Sequence, residues 1–71
     1  MEVYVFRTGI SKREQIQSVA PILNSIWGIS KWNFDLDDNE NILRIEAAGI
    51  SPRSIEDSLS KANYYCEELP D

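Results

Sequence analysis

Between Trp32 and Ala47 the side chains alternate on either side of one cluster of turn formers, and this pattern constrains the fold more than any other feature of the chain. Trp32, Phe34 and Leu36 are apolar with Asn33 and Asp35 between them; after Asp37-Asp38-Asn39-Glu40-Asn41, Leu43 and Ile45 alternate with Arg44 and Glu46. Successive side chains of a strand point to opposite faces, so each stretch carries one apolar and one wet face. Joined by a turn rich in Asp and Asn, the two stretches read as a hairpin, with strands over Ile29 to Leu36 and Ile42 to Ala47. Trp32 and Phe34 belong to its buried face.

An apolar sheet face needs a cover. Ile16, Val19, Leu23 and Ile26 recur at steps of three, four and three, which puts four apolar side chains on one helical face. Ser11 and Glu14 fit the S-x-x-E capping box that opens such a helix, and Gly28 suits its end. Pro21 lies inside the stripe, where it removes a backbone hydrogen bond and crowds the preceding turn, so a kink or break is expected near Ala20. A second helix opens at Ser51-Pro52, a capping hydroxyl followed by proline at the first helical position. Ile55, Leu59 and Ala62 form its stripe, and Asn63 is suited to the left-handed conformation that closes a helix.

Val3-Tyr4-Val5-Phe6, bounded by Gly9, reads as a first strand whose inward face is ambiguous, and Tyr64 to Leu69 as a short last one. The order is then strand, helix, strand, strand, helix, strand. That is the α+β class: a ferredoxin-like βαββαβ sandwich, a four-stranded antiparallel sheet with two helices on one face, in a single domain spanning 1–71. The second and fourth strands, Lys31 to Leu36 and Tyr64 to Leu69, are its edges, and a homodimer through an edge strand is open to it, although the charges along both strands weigh against one.

With 7 basic against 12 acidic residues the chain has a net charge of -5, which would repel a polyphosphate backbone and argues against nucleic acid. No apolar run reaches the ~20 residues of a membrane span, and none at the N-terminus has the length of a signal h-region. The one cysteine, Cys66, cannot form an intramolecular disulfide and fits a reducing compartment, so a cytoplasmic location is expected. There is no histidine to act as a base near neutral pH or to activate that thiol, so no catalytic residue is assigned and a non-enzymatic role is expected. The acidic hairpin turn lacks the D-x-D/N-x-D/N-G spacing of a calcium loop and reads as a solvated turn.

The run Gly9-Ile10-Ser11-Lys12-Arg13-Glu14-Gln15 resembles the G-M-S/T-C-x-x-C loop of heavy-metal-associated (copper-chaperone-like) domains. Ile16, Val19, Leu23, Ile26, Gly28, Ile29 and Leu36 match that family's hydrophobic spacing without a gap, and Ala62-Asn63-Tyr64 is similar to its A-G-Y, so the likeness covers nearly the whole chain. The resemblance implies the same fold. In that family the two loop cysteines hold Cu(I), Zn(II) or similar ions as thiolates; here Lys12 and Gln15 stand at the matching positions, so the resemblance implies neither a family-type metal site nor a cofactor. Cys66 reads as a small apolar residue beside the core, with a thiolate ligand, joined by carboxylates and shared across a dimer, as the alternative.

Arg7, Lys12 and Arg13 are the densest positive group on this acidic chain and cluster around a helix N-terminus, where main-chain N–H groups also attract anions. An unidentified protein partner or a small anion is expected there, unless the group is simply solvated. Trp27 falls off the helical stripe and is a further candidate for partner binding, or for folding over the sheet edge.

Overall fold

A computed structural model describes residues 1–37 and 39–70; Asp38 of the hairpin turn and Asp71 lie outside the described residues. The elements are β1 (Glu2–Thr8), α1 (Arg13–Ser25), β2 (Ile29–Asp35), β3 (Ile42–Ala47), α2 (Pro52–Lys61) and β4 (Cys66–Glu68). The sheet order is β2-β3-β1-β4 with every neighbouring pair antiparallel, so β2 and β4 are the edges. This is the ferredoxin-like α+β arrangement that the alternation and the two stripes predict.

The register decides which face of β1 is inward. Phe6 stands opposite Leu43 and Tyr4 opposite Ile45, so Tyr4, Phe6 and Thr8 follow the apolar side of β3 toward the helices. Val3, Val5 and Arg7 take the open face, opposite Glu46, Arg44 and Ile42. Phe6, Leu43, Ile45 and Ala47 of the sheet form one buried cluster with Val19 and Leu23 of α1, Ile55 and Leu59 of α2, and Ile10 of the loop before α1. Burying one of its Val, Leu, Ile or Phe side chains is worth about 1.5–3 kcal/mol.

Several expected boundaries move. Ser11 and Glu14 do not form the capping box: α1 starts one residue later, with Lys12 at the N-cap, and the side chain that reaches back is Gln15. The helix runs through Pro21 to Ser25 without a break. Gln17, Ser18 and Pro21 are all exposed, so water can take the carbonyl that a residue-21 N–H would otherwise have bonded. α1 closes at Ile26 rather than Gly28, with Ile26 N–H donating to Leu23 O at 3.3 Å. Gly28 serves the following turn instead. Its φ is +96°, and a Cβ there would lie 2.7 Å from both Ala48 O and Ile50 Cγ2.

The second helix closes as the sequence indicates. Asn63 has φ +70°, its N–H donates to Ser60 O at 2.9 Å, and Tyr64 N–H donates to Leu59 O at 2.9 Å. These two bonds make a Schellman motif, with Tyr64 packed on the same core as Leu59. Ala62 is the C-cap and only half-buried, so it is not part of the buried stripe. β4 shrinks to three residues because Tyr64 and Tyr65 are spent on returning the chain from α2. Trp32 and Phe34 pack on the core but are only half-buried, and β2, which carries them, is an edge strand.

Candidate functional site

The loop between β1 and α1 is held from below by Thr8. Its hydroxyl donates to Asn41 O at 2.7 Å and accepts Ile10 N–H at 3.1 Å, so one buried polar side chain joins the loop to the hairpin. Ile10 is fully buried, and the chain turns outward after it. Ser11, Lys12 and Arg13 are exposed. Gln15 Oε1 accepts the N–H groups of Ser11 at 2.9 Å and Lys12 at 3.1 Å, which closes the loop over the first turn of α1. The lysine ammonium has no lone pair to accept a hydrogen bond, so this closure belongs to Gln15 alone.

Arg7, Lys12 and Arg13, adjacent in sequence, are divided in space. Arg7 points to the open face of the sheet, where Nε meets Glu40 Oε2 at 2.9 Å and Nη1 meets Glu67 Oε1 at 3.5 Å. The hydrogen bond to Glu40, its charge, and Tyr65 together raise the Arg7 pKa above its ordinary value. Lys12 and Arg13 make no ion pair among the described residues. They alone remain available at the start of α1.

Arg13 also borders a groove that sequence reasoning missed, of about 660 Å³, between the first turn of α1 and the end of β2. Ile16, Phe34 and Leu36 give it an apolar floor, and its polar walls carry both signs of charge, Arg13 and Arg44 with Asp35 and Asp37. No short-range signal announces it, because its walls come from three elements brought together only by the sheet. Trp27 is elsewhere. It lies past the far end of the thirteen-residue α1, about 20 Å from Lys12 at 1.5 Å per residue. It is 76% exposed. One edge of its ring lies over Gly49, whose added Cβ would come within 3.0 Å of Trp27 Cη2.

Cys66 is on β4, opposite Thr8 on β1, half-buried against the core beside α2. Burial first, and the Glu56 carboxylate second, push its thiol from an ordinary 9.0 up to about 12. Glu56 is itself engaged, accepting Glu68 N–H at 2.6 Å. Among the described residues no group of three or more His, Cys, Asp and Glu side chains is placed to hold a metal ion, and no helix is long and apolar enough to cross a membrane.

No family model matches this chain, and no curated protein sequence matches it. Among solved structures, the yeast copper transporter domain CCC2A, determined in solution in its apo and Cu(I)-loaded states, superposes with a TM-score of 0.83. The match covers 100% of this chain and 99% of that one at 16% sequence identity. At that identity the likeness shows the fold, the ferredoxin-like βαββαβ fold of a copper-transport domain. It says nothing by itself about the site.

Proposed function

We propose that this chain is a small non-enzymatic binding module, built on the fold of heavy-metal-associated domains, whose loop from Gly9 to Gln15 meets a protein partner rather than a metal ion. The observation that carries the reading is the Gln15 carboxamide, bound to two loop N–H groups where the family resemblance would place a thiolate. The other matching position holds Lys12, an exposed N-cap residue whose fixed positive charge opposes a bound cation. Lys12 and Arg13, exposed and without an ion pair among the described residues, suit a partner surface that presents carboxylates. A cytoplasmic location fits this reading through the single unpaired thiol.

A metal carrier using Cys66 is the competing reading. Glu56 lies beside the thiol, but the environment there favours the protonated form, whereas a soft ion requires the thiolate. Titration of the reduced protein with Cu(I) against a competing chelator separates the two. The wild type and Cys66→Ala are expected to leave the metal with the chelator, and Lys12→Cys/Gln15→Cys to withdraw it. Sub-micromolar binding by the wild type that disappears in Cys66→Ala overturns the proposal. For the partner, crosslinking in cell extract is expected to give a product with the wild type that is lost in Lys12→Glu/Arg13→Glu; a product indifferent to those charges removes the loop from the proposed interface.

A further inference from the structure

The two edges of the sheet are not equally open. On β4 the N–H of Glu68 is already taken by Glu56 of α2, and a second copy of β4 paired about Glu67 would set carboxylate against carboxylate. Among the described residues no side chain hydrogen-bonds the main chain of β2 from Lys31 to Asp35. Pairing with β3 uses only one side of that strand, so the other side presents a row of unpaired N–H and C=O groups.

The register of β2 is irregular between Ile29 and Lys31, where Ser30 bulges and its hydroxyl is tied to Glu46 O at 3.1 Å. A bulge bends the strand, so the regular run is Lys31-Trp32-Asn33-Phe34-Asp35, centred on Asn33. Its chemistry is symmetrical about that centre: a cation, an aromatic, an amide, an aromatic, an anion.

From this we infer that β2 is the interface of a homodimer, pairing antiparallel with β2 of a second copy about a two-fold axis at Asn33. On the open face Lys31 of each copy then opposes Asp35 of the other. Among the described residues Lys31 makes no ion pair, and the ion pair of Asp35 is a loose one, to Arg44 at 3.9 Å. On the helix face Trp32 of each copy opposes Phe34 of the other. Within one chain these rings already meet edge to face with centroids 5.9 Å apart, so the dimer joins two such pairs into a cluster of four rings, covering the flanks that leave both side chains half-buried. A C2 interface requires this kind of self-complementarity, in which residue i meets j and j meets i. Charges along an edge strand ordinarily discourage pairing, but here their order makes them complementary rather than repulsive.

Sedimentation over a concentration series tests the interface. The wild type is expected to show a monomer–dimer equilibrium. Lys31→Asp turns both symmetric ion pairs into like-charge contacts and is expected to raise the dimer Kd by about tenfold or more, as is Asp35→Lys. Combining the two swaps restores opposite charges and is expected to bring Kd back to within about threefold of the wild type. Glu67→Lys, on the other edge, is expected to leave Kd unchanged. Asp35 also accepts Asp37 N–H at 3.2 Å, so its variants are checked for folding by thermal melts, while Lys31→Asp carries the test on its own. A chain that is monomeric at every concentration overturns the inference, including the case where the edge takes a strand from another protein. A dimer that ignores Lys31→Asp, or that the double swap does not restore, overturns it as well.

Discussion

Thr8 and Asn41, 33 residues apart, are joined by a hydrogen bond of 2.7 Å from the threonine hydroxyl to the asparagine carbonyl. The Thr8 hydroxyl oxygen also accepts Ile10 N–H, so the loop that carries Lys12 is anchored to the hairpin through one atom. Thr8→Val keeps the shape and removes the hydroxyl, leaving a buried N–H and a carbonyl without their partner. Loss of about 1–3 kcal/mol is expected in urea unfolding, with Thr8→Ser retaining most of the stability. Equal stability of wild type and Thr8→Val would show that water replaces the hydroxyl.

Gln15 should be needed for its acceptor oxygen, not for its amide group. Gln15→Ala leaves the N–H groups of Ser11 and Lys12 without their partner, a loss comparable to removing a helix cap at about 1 kcal/mol. Gln15→Glu keeps the acceptor and places a negative charge at a helix N-terminus, so its thermal midpoint is expected at or above that of the wild type. If both variants lose stability equally, the loop is not closed by that oxygen.

Gly28 and Gly49 both have positive φ, +96° and +75°, yet they should differ in their tolerance of a methyl group. At position 28 the Cβ would meet the Ala48 carbonyl and Ile50 Cγ2 at 2.7 Å, in main chain and packed side chain that have little room to yield. At position 49 it would meet only the exposed ring of Trp27, at 3.0 and 3.1 Å, and that ring can swing away. Gly28→Ala is expected to cost about 2 kcal/mol or more, and Gly49→Ala about 1 kcal/mol, from the backbone conformation. Unfolding of the two variants side by side gives the order directly.

The Cys66 thiol should be slow to alkylate at pH 8 in the folded protein, and Glu56→Gln should speed the reaction by removing the nearby charge. The same shift links to stability. Between the ordinary value of 9.0 and the folded value of about 12, the unfolded chain gives up the thiol proton while the folded chain keeps it. Deprotonation then favours unfolding, so this contribution is present below pH 9 and lost as the pH rises toward 12. Over that window the wild type is expected to lose stability faster than Cys66→Ala. Parallel curves would mean that the thiol is not held in its protonated form.

The element order was legible in the sequence because its signals are local. Alternation from Trp32 to Ile45, two helical stripes and the αL-tolerant Asn63 each depend on a few neighbouring residues. Boundaries were less legible. Ser11, Lys12, Glu14 and Gln15 offer two overlapping registers for opening α1, and the tertiary anchor at Ile10 and Thr8 selects the one in which Gln15 reaches back.

Of the candidate site, the sequence by itself determined the charges and the absence of thiols at positions 12 and 15, since both are matters of residue identity. Only the tertiary structure decided which charges are free. Glu40 and Glu67, distant in the chain, claim Arg7 and leave Lys12 and Arg13. Nor does the run from Lys31 to Asp35 carry meaning as a string: its symmetry matters because the sheet order puts that strand at an edge and the bulge at Ser30 makes Asn33 its centre. Strand order, register and ion pairing join residues tens of positions apart, and no local pattern of apolar and polar side chains encodes them.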